Sequence, residues 1–196
     1  MSAVYDRFAK HYDRFFAPLE RLGLASMRRE AASLLPENAS ILEIGCGAGA
    51  NFEFYPKCRL AVSSEISIEM LQVAKGKRRE NHLIQGDAQS LPFGESEFDA
   101  AFATLVFCSI PEPETAFLEL RRVVRLGGRL VLLEHVRPDG ILGPVFDILG
   151  KATVAVAEDH FNRQTALIAE KSGLKLLEVR KKLAGIVNLI VCEDVK

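Results

Sequence analysis

With 196 residues, 48% of them hydrophobic and 26% charged, the chain has the size and composition of an ordinary globular protein with one substantial core. Its formal charge of -1 argues against a dominant nucleic-acid surface, for which a basic excess is expected. Cys46, Cys58, Cys108 and Cys192 form no CxxC pair and stand at no metal-ligand spacing from a histidine, so free thiols in a reducing, cytoplasmic setting are expected and a metal site is not.

The chain opens with a near-repeat, "YDRFAKHYDRFF". One heptad return is too short for a coiled coil, which needs about three or four heptads. On a helix Tyr5, Phe8, Tyr12 and Phe15 share a stripe, which by itself predicts packing on the domain. The segment is charged and amphipathic with no apolar h-region, so a signal peptide is not expected. "RLGLASMRREAASLL" (21–35) reads as a helix that Pro36 closes.

Short apolar runs then alternate with helical patterns. Strands are predicted at 39–45, 59–65, 81–87, 98–106 and 127–135. A helix starts at the N-cap Ser67, and another, "PETAFLELRRVVR", stops at "LGG". "ILGPVFDILGKATVAVA" (141–157) is the most apolar stretch, but Asp147 and Lys151 interrupt it and it is too short to span a membrane, so a buried or substrate-facing helix is expected. "NRQTALIAEKSG" forms the last helix. The final strands, 174–182 and 185–193, are too close for a parallel crossover and must pair antiparallel. The alternation predicts an α/β fold with a mostly parallel sheet in one domain, 1–196.

The chemistry concentrates where the first strand meets "GCGAGA". Gly45, Gly47 and Gly49 permit positive φ and a close approach of backbone to ligand. The stretch formally satisfies G-x-G-x-x-A, so the loop alone leaves NAD and other nucleoside cofactors open. Glu65 ends the second strand, where a carboxylate can accept from both ribose hydroxyls. Asp87 and Ala88 follow the third strand, within reach of an adenine edge.

These motifs together resemble the class I S-adenosylmethionine (SAM)-dependent methyltransferases, in particular the ubiquinone/menaquinone-biosynthesis group of small-molecule enzymes. The resemblance rests on "LEIGCGAG", "EISIEML", "GDAQSLPFGESEFDAAFAT", "RRVVRLGGRLVLLEH" and the closing hairpin. It implies a Rossmann-like, doubly wound, seven-stranded sheet spanning 37–196, capped by an N-terminal helical lid over 1–36. It further implies that Gly45, Cys46, Gly47 and Gly49 line the methionine part of SAM, that Glu43 supports the loop, and that Glu65 binds the ribose. Ile66 and Met70 would pack near the adenine, Asp87 and Ala88 hold its edge, and Thr104 and Leu105 pass under the sulfonium. "YDRFAKHYD" matches a helix that closes over the cofactor in related enzymes, so Tyr5 or Tyr12 would approach the methionine end while the phenylalanines seal the pocket. The chain departs from the family at Glu65, usually Asp, and at Ile68, usually Pro.

Methyl transfer from a sulfonium is an in-line displacement for which alignment and desolvation can suffice. His135 and His160 are candidates to orient an acceptor or take its proton, with Glu134 and Arg163 as further acceptor contacts. No stacking clamp follows the fourth strand, where "ATLVFC" stands, so a small, apolar or amphiphilic acceptor is expected rather than a nucleic-acid base. No integral membrane segment is expected, and the residues leave monomer and homodimer open. An NAD-dependent oxidoreductase and a SAM-binding protein without turnover are the competing readings.

Overall fold

The computed structural model describes residues 2–77, 80–136 and 163–195; of residues 2–10 it describes side chains at Asp6 and Ala9 alone, and the side chain of residue 184 is not described. The apolar segment 141–157 and His160 lie outside the described residues.

Strand β1 (Ser40–Ile44) is buried at every position, as a central parallel strand must be. It pairs in parallel with β2 (Leu60–Glu65) and β4 (Phe98–Thr104). β3 (His82–Gln85) adds outside β2, and β5 (Val124–His135) outside β4. β6 (Leu174–Lys182) and β7 (Val187–Asp194) pair antiparallel, and β7 inserts beside β5, giving the order β3-β2-β1-β4-β5-β7-β6. The chain reverses direction of winding between β1 and β4, so their carboxyl ends open a crevice there.

Alternate residues of the strands feed two apolar layers. Leu42, Ile44, Ala101, Leu130 and Leu132 face α4 (Pro113–Val123), which buries Phe117 and Leu120 against them. Ile41, Phe102, Val131 and Leu133 face α2 (Ala25–Ala32), which buries Ala31 and Ala32. α3 (Ile68–Lys77) begins as the sequence predicts: Ser67 Oγ accepts from the Met70 N–H at 3.1 Å. α5 (Thr165–Lys171) leads into β6.

Two boundaries differ from expectation. β5 starts at Val124, directly after α4, because the Gly127–Gly128 pair does not stop a helix but shapes a bulge within the strand. Gly127 sits at φ 71, and the register shifts between Phe98 and Ala100. The helix read at 21–35 is separate but shorter: α1 (Ser2–Leu19) and the π-helical turn after it (Glu20–Leu24) are broken by a kink at Gly23 (φ 128), and α2 follows the kink and ends at Ala32.

Candidate active site

The glycine loop leaves β1 with Gly45, Gly47 and Gly49 all at positive φ, 61°, 52° and 79°. The three glycines do different jobs. A Cβ on Gly45 would lie 2.5 Å from Val106, and one on Gly49 2.5 Å from Phe52, so these two are held small by packing. A Cβ on Gly47 would meet nothing within 4 Å, which leaves open space beside the loop. The Cys46 N–H donates to Ser64 O at 3.0 Å and fixes the loop to β2. The Cys46 thiol is buried, and burial with the nearby Glu43 and Glu65 carboxylates pushes its pKa well up, so it is a poor nucleophile.

Glu65 lies across the mouth of this loop. One carboxylate oxygen accepts from the Gly47 N–H and the other from the Ser67 N–H, both at 2.9 Å. Burial raises its pKa, and those N–H groups oppose the rise. Gly86 N–H reaches Glu65 O at 3.1 Å, and the Gln85 amide reaches Ile66 O at 3.1 Å, so the turn after β2 is tied to β3. Asp87 is engaged within its own turn, accepting from Gln89 N–H at 2.9 Å and from the Gln89 amide, with Ala88 half-buried beside it.

A buried polar lattice underlies the loop. Glu43 accepts from Asn51 at 2.6 Å, from Ser63 at 3.1 Å and from the Tyr55 hydroxyl. Burial raises the Glu43 pKa against these donors. Arg28, only 3% exposed, reaches in from α2, donating to Asn51 at 3.1 Å, to the Thr104 hydroxyl, and to Glu20 at 3.0 Å. Asn51 also donates to Thr104 at 2.8 Å. Sequence reading missed Arg28, Asn51 and Tyr55. For Arg28 a signal existed: it stands on one helical stripe with Leu24, Ala31 and Leu35, and an arginine on an apolar stripe needs buried partners.

On the other side of the crevice β4 ends at Thr104, and Leu105 turns the chain at φ 59, a left-handed conformation rare for leucine. Leu105 N–H donates to Leu133 O at 2.7 Å. The next two amides, Val106 and Phe107, donate to the two oxygens of Glu134 at 3.1 Å each. Arg163 grips the same segment from its carbonyl side, at Phe107 O (2.6 Å) and Ile110 O. Glu134 and Arg163, two of the four residues expected at the acceptor, are therefore engaged as anchors of this loop. Glu134 is completely buried, and that burial pushes its pKa up to about 7.

His135 points to the opposite face of β5, toward α2. Burial and the Arg28 charge hold its pKa down to about 4, so it is a neutral imidazole near pH 7. From above, α1 covers the glycine loop: Ala9 and Tyr12 pack with Ala48 and Met70. Burial pushes the Tyr12 phenol up to about 12, and Arg28 and Glu65 are near enough to act on it. Phe15 does not seal this pocket, since it is 76% exposed on the far side of α1; Phe16 instead stacks on Tyr12 at 4.5 Å. The Tyr5 side chain lies outside the described residues.

A family model described as a methyltransferase domain matches residues 42–132, the span that holds both loops. The chain is 31% identical over 177 residues to a demethylmenaquinone methyltransferase of Renibacterium salmoninarum, covering 86% of this chain and 73% of that protein. It is 32% identical over 131 residues to a thiol S-methyltransferase of Mus musculus, covering 60% of this chain and only 54% of that protein. A crystal structure of a SAM-dependent methyltransferase from Thermotoga maritima superposes with a TM-score of 0.77 at 22% identity, over 98% of each chain, and shares the fold. The cofactor of this chain is therefore SAM rather than NAD: the chain belongs to the class I SAM-dependent methyltransferases.

Proposed function

We propose that this enzyme methylates a small, apolar or amphiphilic acceptor, acting as one domain over 1–196 in which residues 1–36 form a lid. When bound, SAM supplies a methyl group already activated on a sulfonium. The residues present fit such a group. Open space adjoins Gly47, and the Glu65 carboxylate, with about four acceptor sites, keeps capacity for ribose hydroxyls beyond its backbone donors. Ile66 and buried Met70 offer apolar surface for an adenine, with Asp87 and Ala88 at its edge. Thr104 and Leu105 bound the methyl end, and Tyr12 shields it from water.

The single observation that carries the proposal is the open space beside Gly47, next to a Glu65 bonded to its N–H and a Tyr12 packed on Ala48, at the switch point of a methyltransferase sheet. The acceptor class is supported by relatives whose names specify a quinone and thiols, and by the engagement of Glu134 and Arg163 with the loop and the neutrality of His135. His135 can orient an acceptor or take its proton, a role shared by His160 in the proposal. Net charge -1 speaks against a nucleic-acid acceptor, and we place the enzyme in the cytoplasm.

Calorimetry with S-adenosylhomocysteine, on wild type and Glu65→Ala, tests the cofactor site. Undetectable wild-type binding refutes it, and a variant binding as well as wild type refutes the ribose assignment alone. Methyl transfer screened across thiols, phenols, quinones, amines and phospholipids tests the acceptor. Turnover confined to small, hydrophilic amines would overturn the apolar class, and failure across the panel would favour a binding protein without turnover.

A further inference from the structure

The opening repeat places three carboxylates, Asp6, Asp13 and Glu20, seven residues apart. Seven residues are close to two helical turns, so the three lie on one line. All three have a partner on a neighbouring segment. Asp6 accepts from the Ser67 hydroxyl, Asp13 pairs with Lys77 at 2.5 Å, and Glu20 pairs with Arg28 at 3.0 Å. The opposite line is left without a carboxylate. It presents His11, Phe15 and Leu22, flanked by Leu19 on one side and by Arg14 and Arg21 on the other, all exposed. Phe15, Leu19 and Leu22 are 76%, 49% and 81% exposed. Other exposed large apolar residues, such as Leu118, Leu126 and Leu167, stand on separate elements.

We propose that this outer face of α1 and its π-helical turn docks on an anionic membrane surface. Three large apolar side chains within two turns give the face something to insert below headgroup level, and the two arginines beside them match lipid phosphates. A second copy of the chain fits less well, because a two-fold contact through this face sets Arg14 and Arg21 against their own equivalents. The inner face of the same helix covers the glycine loop with Ala9 and Tyr12, so docking sets the cofactor crevice about one helix diameter, ~10 Å, from the headgroups. An amphiphilic acceptor then has a short path from bilayer to site. The docking itself does not depend on the acceptor's identity.

Flotation of the full chain with phosphatidylcholine vesicles, and with vesicles that also contain phosphatidylglycerol, tests this. The chain is expected to float with the anionic vesicles only. Arg14→Gln/Arg21→Gln should weaken binding about 30-fold at low salt, with the difference from wild type shrinking as salt screens the lipid phosphates. Phe15→Ser/Leu22→Ser should abolish it while melting at the wild-type temperature, since neither side chain packs on the core. No flotation of the wild type, flotation that neither double variant changes, or equal flotation with both vesicle types each overturns the proposal. So does a dimer in sedimentation that Phe15→Ser/Leu22→Ser turns to monomer, which would make the face a self-interface. S-adenosylhomocysteine binding, measured on the same samples, keeps a failed cofactor site distinguishable from a failed membrane face.

Discussion

The loop after β1 and the loop after β4 face each other across one crevice, yet different physics holds them. The first is shaped by glycines at positive φ, two of them held small by packing, and its Gly47 amide is capped by Glu65 from a neighbouring strand. The second has no glycine at its turn. It holds Leu105 at φ 59 and is fastened by two buried or half-buried charges, Glu134 on its N–H side and Arg163 on its carbonyl side. A loop fixed by stereochemistry is indifferent to pH. A loop fixed by a carboxylate near its titration point is not.

Arg28 is where the two loops join, because it and Asn51 both donate to Thr104 while Asn51 also holds Glu43 under the glycine loop. Removing it should have the largest effect. Arg28→Ala leaves Glu20 and the Asn51 carbonyl without their shared partner, and breaking a buried pair costs about 3–5 kcal/mol. Denaturant unfolding would check this. A loss under about 1 kcal/mol would mean that the lattice reorganises, and that the loops are less coupled than their bonds imply.

The glycine loop can be broken in two separable ways. Gly45→Ala adds a strained φ and drives a Cβ to 2.5 Å from Val106, so stability should fall by roughly 2–4 kcal/mol. Gly47→Ala carries the φ strain without any clash, at about 1 kcal/mol. Its methyl group enters the open space instead, so S-adenosylhomocysteine affinity should drop far more than stability. Calorimetry paired with unfolding separates the two. Equal stability losses in both variants would refute the division of labour among the glycines.

The pH contrast sharpens the comparison further. The Glu134 pKa is raised from 4.5 to about 7 in the fold, so the folded state keeps a proton that the unfolded chain has lost. Its contribution to stability therefore falls as pH rises through that window, by about 1.4 kcal/mol per unit at most. His135 is shifted the other way, from 6.5 to about 4, and its contribution falls as pH drops through that range. Neighbours on one strand thus carry opposite slopes that offset each other where the windows overlap. Relative to wild type, Glu134→Gln should gain stability as pH rises from 4.5 to 7, and His135→Gln should gain it as pH falls from 6.5 to 4. Urea unfolding across that range reads both differences; parallel profiles would exclude titration of either residue.

The same contrast explains how much could be read beforehand. Glycine spacing, the strand before it and the acid ending the next strand are local patterns, so the first loop and the sheet around it were legible. Glu134 and Arg163 stand far apart in sequence, and nothing local distinguishes an acid facing an acceptor from one facing two amides of another loop. Arg28 was hidden for a related reason. In "SMRREAA" it reads as a solvated helix face until its stripe is traced through Leu24, Ala31 and Leu35. The repeat in α1 was legible as one helix over the site, but the placing of its phenylalanines was not. Tyr5, Phe8, Tyr12 and Phe15 follow heptad spacing, and the packing of Ala9 and Tyr12 against Ala48 and Met70 turns Phe15 out to solvent.

The smallest expected effect lies in the tether of that helix. Asp13 and Lys77 pair at 2.5 Å but stay 50% and 37% exposed, so solvent screens them. Such pairs contribute about 0–1 kcal/mol, and Lys77→Ala should hardly move the melting temperature. What it should change is local: with one of three inner contacts gone, α1 opens more often over the glycine loop, and amide exchange in residues 11–19 should quicken at constant global stability. Because Ala9 and Tyr12 still pack against Met70 and Ala48, that quickening should fall short of full exposure. If exchange there already runs at the rate of an unprotected chain in the wild type, α1 is held by neither contact.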